Sequence, residues 1–330
     1  MTTRNPIRIG TRGSELALAQ AALFETALRA AHPDIAIERM IIRTTGDQRQ
    51  DVRLADLSGS TGSPVDKGIF TKELESALRD GRIDIAVHSL KDVPTEVDAA
   101  FAICGAMTRA MVEDVLLSPR PCPRGIAGLP AGATVATSSV RRQCQLLAAR
   151  PDLHVHEIRG NVPTRMRKVL GGGHGDALLL ARAGLERLGW DPASGVVEVD
   201  GQTLHAVVLA EEEMFPAAGQ GAVGLETRAG DTRAMDIVRS INHAPTWARV
   251  RCERGFLHLL KAGCHTPVGI ITRIEADDTM RARALVFDPT GATPVRLGAA
   301  SGPADAPESV AAMLFSSLAH AGHAPGHSIP

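Results

Sequence analysis

The sequence has no tyrosine, and aromatic residues make up only 3% of its 330 positions. Single-stranded nucleic acid is usually gripped by aromatic stacking platforms, so this composition argues against that class of partner. Charge of one sign is lacking as well: 36 Lys and Arg stand against 37 Asp and Glu, a net −1 at pH 7. No global field therefore draws the chain to nucleic acid or to a membrane, and any anion must be held by local clusters of Arg and Lys. No apolar run approaches the roughly 20 residues that span a bilayer. The opening "MTTRNPIRIG" enters a strand-like segment at once, leaving no room for an export signal, so a soluble cytoplasmic protein is expected. Five cysteines, an odd count with no C-x-x-C spacing, speak against a disulfide framework and against a zinc ribbon.

The length and a hydrophobic content of 44% predict a globular chain of two or three domains. "IRIGTR" reads as a strand, and "SELALAQAALFETALRAA" as a helix capped by Ser14. "IAIERMIIR" (strand), "TKELESALRDG" (helix) and "IDIAVHS" (strand) follow. The order repeats in "ATVATSS", "VRRQCQLLAAR", "LHVHEI", "PTRMRKVL" and "DALLLA". Two α/β lobes with largely parallel sheets are expected, because strands that alternate with helices pair in parallel. Beyond "AAGQGAVGLE", two helical stretches, three strands and a last helix predict a smaller α+β C-terminal domain. The expected boundaries are 1–108 with 208–228 for lobe one, 109–207 for lobe two and 229–330 for the third domain.

Four groups of residues suggest chemistry. Arg12 lies at the first strand-to-helix turn, and Arg141 and Arg142 follow Thr137, Ser138 and Ser139 at its counterpart in the repeat. Helix N-termini and guanidinium groups both bind carboxylate or phosphate, so these turns are candidate anion sites, and a solvated helix face is the plain alternative. Asp84 falls on the alternation that places Ala86 and His88 on its own face, away from Ile83, Ile85 and Val87. An acid at that depth is either a structural carboxylate or a general acid/base with a tuned pKa. Lys67 follows a Gly- and Ser-containing loop suited to a lid or to plain surface. Cys264, in "KAGCHTPVG", is an accessible thiol after a helix. Cys252, His258, Cys264 and His265 match no common zinc pattern, and adjacent Cys264 and His265 make a poor hydrolase dyad. No metal is expected, and Cys264 is left as a nucleophile or a covalent attachment point.

"RIGTRGSELALAQ", "KGIFTKELE", "DIAVHSLKDVP", "TSSVRRQCQL", "RGNVPTR", "LARAGLERLG", "PAAGQGAVGLE" and "AGCHTPVG" occur in this order along the chain. Together they resemble the porphobilinogen deaminase, or hydroxymethylbilane synthase, family over nearly its whole length. The resemblance implies two lobes like those of periplasmic binding proteins and a third domain. It implies a dipyrromethane cofactor joined by a thioether to Cys264, and head-to-tail polymerisation of four porphobilinogen molecules with loss of ammonia. Carried over, the catalytic acid falls on Asp84, which would also meet the cofactor. Further cofactor contacts fall on Lys67, Thr137, Ser138, Ser139, Arg141 and Arg142, and substrate contacts on Arg12, Ser14, Arg165 and Arg187. A monomer that passes its product to uroporphyrinogen-III synthase is implied as well. The sequence departs from the family in "SGSTGSPVD" before Lys67 and at Pro163, which the first turn of a helix tolerates. A non-catalytic, two-lobed anion-binding module is the competing reading.

Overall fold

The computed structural model describes residues 6–44, 70–262, 266–288 and 296–320. Lys67 and Cys264 lie outside the described residues. The chain divides into two compact units, 1–109 with 222–247, and 110–221 with 248–330.

The first unit is built on a five-stranded sheet of order β2-β1-β3-β11-β4. Its strands are β1 (Ile7–Arg12), β2 (Ile37–Ile42), β3 (Ile85–Ser89), β4 (Phe101–Ala106) and β11 (Val223–Arg228). β1 pairs in parallel with both β2 and β3, whereas β11 runs antiparallel to β3 and β4. Helix α1 (Glu15–Ala31) starts where Ser14 accepts the backbone N–H of Ala17. Its Phe24 and Leu28 pack against Ile7, Ile9, Ile85 and Val87, together with Ala234, Ile237 and Val238 of α6 (Thr232–Ile241). Leu74, Ala77 and Leu78 of α2 (Lys72–Arg79) cover Ile83 and Ala86 in a separate cluster. Ile83 thus packs away from Ile85 and Val87, because the strand begins only at Ile85 and the alternation cannot be extended back through the preceding turn.

The second unit repeats this plan. Its six-stranded sheet has the order β7-β6-β8-β5-β10-β9. The parallel trio is β6 (Thr134–Ala136), β7 (His154–His156) and β8 (Ala177–Ala181), and β5 (Asp114–Ser118) runs antiparallel to β8. β9 (Val196–Val199) and β10 (Gln202–Val208) complete it. Leu146 of α3 (Val140–Ala149) packs on one face, and Met166 and Val169 of α4 (Val162–Leu170) join the cluster containing Leu178 and Leu180. Pro163 sits in the first turn of α4, where its missing N–H costs nothing. The short helix α5 (Arg182–Arg187) follows β8.

A three-stranded antiparallel sheet, β12 (Val268–Ile274), β13 (Thr279–Val286) and β14 (Arg296–Pro303), forms the smaller C-terminal domain. Cys252 and Phe256 of α7 (Ala244–Leu259) and Val310, Leu314 and Leu318 of α8 (Pro307–His320) pack on one side of it.

The two lobes and the third sheet match the expected fold class, with two differences. Each large sheet is mixed, since antiparallel strands extend the parallel trio. The return to the first sheet comes at β11, so residues 208–221 stay with the second unit, and α6 packs on lobe one instead of opening the third domain.

Candidate active site

In open α/β sheets, ligands meet the chain beyond the carboxyl ends of the parallel strands. In the first unit that edge carries Arg12, the last residue of β1, and Ser14, the cap of α1. The Arg12 guanidinium lies 4.1 Å from the centre of the Phe70 ring, a cation–π contact that presets its direction. Ser89 ends β3 and exchanges hydrogen bonds of 2.8 and 2.9 Å with Gln20 of α1, fixing the exit of the strand. A single 3-10 turn, Leu90–Asp92, follows and leaves Lys91 and Asp92 exposed on the same edge.

Asp84 lies at the other end of β3. Its Oδ2 accepts the backbone N–H of Arg8 at 3.0 Å and Arg8 Nε at 3.2 Å. Its Oδ1 accepts Nη2 of Arg8 at 2.8 Å and Nη2 of Arg228 at 3.2 Å. Burial pushes the Asp84 carboxyl up, but the hydrogen bonds from Arg8 and Arg228 outweigh it and hold the acid below its usual range. Both oxygens are engaged, and five strand steps, about 16 Å, carry the chain from Asp84 to Ser89. The sequence places the acid at Asp84, but these bonds and this position favour a structural role for its carboxylate. Asp92, in the same stretch "DIAVHSLKDVP", is an exposed acid on the ligand edge of this lobe. The signal for it was positional, since chemistry belongs after a parallel strand and not before it. His88 is structural too, with Nε2 3.0 Å from Oε2 of the fully buried Glu226.

The second unit presents cations at the corresponding edge. Thr137 Oγ1 accepts the N–H of Ser139 at 3.2 Å, and Ser138 Oγ donates to the carbonyl of Ile158 at 2.7 Å, which shapes the turn into α3. Ser139 is the N-cap, yet its side chain makes no capping hydrogen bond. The first N–H groups of the helix are thus open to an anion. Arg165 Nε donates to the Gly160 carbonyl at 2.7 Å. Arg187 closes α5, and its Nη2 donates to the carbonyl of Gly221 at 2.7 Å. No carboxylate among the described residues lies within ion-pair distance of Arg187, and burial pushes its pKa down to about 10 against the opposing pull of Glu186. A half-buried cation with no ion-pair partner among the described residues is ready for an anionic ligand. Gly221 has φ +79°, and a Cβ there would lie 2.6 Å from the Ala110 carbonyl oxygen, so only glycine holds this carbonyl in place.

Arg141 and Arg142 depart from expectation. Each is only 6% exposed, and both bond to Asp114 at 2.7 Å in place of pointing freely into solvent. Neither Nε–H has a partner among the described residues.

Comparison with known proteins decides between a receptor and an enzyme. The family profile described as "Porphobilinogen deaminase, dipyromethane cofactor binding domain" matches residues 7–236, and that of the family's C-terminal domain matches 247–316. The chain belongs to the porphobilinogen deaminase family. A porphobilinogen deaminase of Desulforudis audaxviator is 44% identical over 93% of this chain and 92% of its own length. One from Nitratidesulfovibrio vulgaris is 42% identical over 87% and 84%. The chloroplastic protein of Oryza sativa subsp. japonica is 43% identical over 87% and 75%. Solved structures overlap more distantly: the periplasmic VFT2 domain of BvgS from Bordetella pertussis covers 71% of this chain and 86% of its own, at 17% identity and a TM-score of 0.41.

Porphobilinogen deaminase, the enzyme hydroxymethylbilane synthase, is a transferase of tetrapyrrole biosynthesis that acts on porphobilinogen with a dipyrromethane cofactor. The residues present fit such a group. A dipyrromethane bears several carboxylates, and the second unit offers an uncapped helix N-terminus, a buried arginine pair with unpartnered Nε–H groups and the uncompensated Arg187. Among the described residues, no cluster of three or more His, Cys, Asp and Glu could hold a metal, and no helix is long and apolar enough to cross a membrane.

Proposed function

We propose that this chain makes hydroxymethylbilane with Asp92 as its catalytic carboxylate, with Cys264 as the thioether anchor of the dipyrromethane, and with Arg12, Arg165 and Arg187 holding the carboxylates of substrate and growing chain. The observation that carries the reading is the position of Asp92, exposed one turn beyond β3, on the same edge of the lobe as Arg12 and Ser14. The cofactor, when bound, supplies the pyrrole carbon to which the first substrate is joined.

The chain's own residues do the rest. Each porphobilinogen carries an acetate and a propionate, which guanidinium groups bind bidentately. As the C–N bond of the protonated aminomethyl group breaks and its electron pair leaves with the nitrogen as ammonia, positive charge spreads over the pyrrole. The Asp92 carboxylate accepts the pyrrole N–H and offsets that charge while it develops. Arg12, set by Phe70, keeps the ring in register by its acid side chain. Ser14 and Ser139 add hydroxyl groups at the two helix N-termini. Lys67, Thr137 and Ser138 complete the set of contacts proposed for the cofactor's acid groups.

The reading extends to a cytoplasmic monomer whose product is handed to uroporphyrinogen-III synthase. Intact-protein mass tests its core. The purified chain should exceed its sequence mass by one dipyrromethane unit, and Cys264→Ser should remove the increment and the activity. An active wild type of unmodified mass would overturn the proposal.

A further inference from the structure

Asp114, the first residue of β5, is completely buried and holds three donors. Nη2 of Arg141 reaches its Oδ2 at 2.7 Å, Nη2 of Arg142 its Oδ1 at 2.7 Å, and Nε2 of Gln220 the same Oδ1 at 2.9 Å. The remaining Nη1 groups bond to main-chain carbonyls, Arg141 to Phe215 at 2.5 Å and Arg142 to Leu179 at 3.0 Å. Burial alone would raise the Asp114 carboxyl, but Arg141 and Arg142 outweigh it and hold the acid well below the usual carboxylate range. Two guanidinium groups on one carboxylate leave one positive charge over. Buried excess charge is costly unless something compensates it, and both arginines keep an unpartnered Nε–H.

The cluster also reaches beyond the turn at Thr137–Ser139. Gln145 of α3 clamps Phe215 through both main-chain groups, at 3.0 Å to its carbonyl and 2.8 Å from its N–H. Pro216, the next residue, accepts the N–H of Ile270 in β12 at 2.8 Å. Gly269 permits this contact, since a Cβ there would come within 2.4 Å of the Phe215 Cβ.

We propose that Asp114 is a positioning residue for the carboxylate-binding turn of the second lobe. It fixes the direction of both guanidinium groups and sets the cluster at a single net positive charge, which one pyrrole carboxylate can neutralise. Gln220 and Phe215 hold that arrangement to the segment preceding β11 and to the sheet of the C-terminal domain. The inference rests on the reading that Arg141 and Arg142 serve the polycarboxylate ligand.

Three variants test it, each read by the fraction carrying the dipyrromethane mass increment, by KM and kcat for porphobilinogen, and by thermal midpoint. Asp114→Asn should lower the midpoint and the loaded fraction together. Asp114→Asn/Arg142→Met restores the single net charge, so the midpoint should recover. Its KM should nevertheless exceed that of Arg142→Met by about tenfold, the loss of one charge-assisted hydrogen bond at Arg141, and its loaded fraction should stay below that of Arg142→Met. A double variant that matches Arg142→Met in loading and KM would overturn the proposal, leaving Asp114 as a neutralising charge only. Wild-type loading and KM in Arg142→Met alone would instead overturn the arginine reading beneath it, so the two failures are distinguishable.

Discussion

Asp84 and Asp176 occupy the same place in the two lobes and do the same thing. The Asp84 carboxylate accepts the backbone N–H of Arg8 at 3.0 Å, and that of Asp176 accepts the N–H of Thr134 at 2.8 Å. Each returns its own N–H to the carbonyl of the same residue, at 2.8 and 2.7 Å. In both lobes an acid before the third strand thus pins the start of the first. A function shared with its counterpart in the repeat marks Asp84 as part of the scaffold.

Turnover should therefore separate two aspartates only eight positions apart. Asp92→Asn should fold and load normally while kcat falls by about 10² to 10⁴, the range for losing a positioned acid or base. Asp84→Asn should keep kcat within about threefold in its folded fraction and lose about 1 to 3 kcal/mol of stability, as when hydrogen bonds to charged groups are left half-made. Denaturant titration with single-turnover kinetics on both variants checks this. An Asp92→Asn enzyme of normal kcat would remove Asp92 from the chemistry.

The acid limb of stability should report the same carboxylates. Asp84 and Asp114 are both held below their unfolded values, so their contribution is fully present above an unfolded pKa of about 4 and is lost progressively as the pH falls from there toward their depressed folded values. Urea midpoints measured from pH 7 to pH 3 should drop steeply for the wild type. Asp84→Asn should start lower and fall less. Parallel curves would mean that Asp84 titrates alike in both states.

Arg187 should trade stability for affinity. Its charge is half-buried with no ion-pair partner among the described residues, and the burial that lowers its pKa to about 10 also costs folding energy wherever the group stays protonated. Arg187→Met should raise the thermal midpoint by about 2 to 4 °C in a protein of this size, while KM rises about tenfold. A lower midpoint would show that the hydrogen bond to Gly221 outweighs the burial.

Thiol chemistry offers a fourth check. Burial raises the pKa of Cys104, Cys122 and Cys144, and burial with Glu253 and Glu308 pushes Cys252 up to about 12. The thiolate is the reactive form, so all four should resist iodoacetamide at pH 7.5 in the native protein. Peptide mapping should find Cys264 protected in the loaded enzyme and alkylated in the apoenzyme. Rapid labelling of Cys252, or of Cys264 in the loaded form, would contradict this.

Much of the fold was legible because each repeat writes its strands and helices as local periodicities, and because the turns at Arg12–Ser14 and Thr137–Ser139 carry cap and anion chemistry in adjacent residues. β10 and β11 were not read, since their partners lie far away in sequence and no local pattern fixes an antiparallel neighbour. The two acids of "DIAVHSLKDVP" look alike as letters. Alternation assigns a face of the sheet but not an end of the strand, and the end is what distinguishes Asp84 from Asp92. Arg141 and Arg142 were read as open donors because nothing near them in sequence announces Asp114, which precedes them by 27 and 28 positions.

The placement of β11 between β3 and β4 bears on how the chain is made. During synthesis the first lobe emerges as the trio β2-β1-β3 and an unpaired β4, and the strand that joins them appears only after residues 110–221. The second lobe's own large sheet, by contrast, is complete in that inserted stretch. Vectorial synthesis thus favours a lobe order opposite to the order of the sequence, with the lobe that begins first closing last.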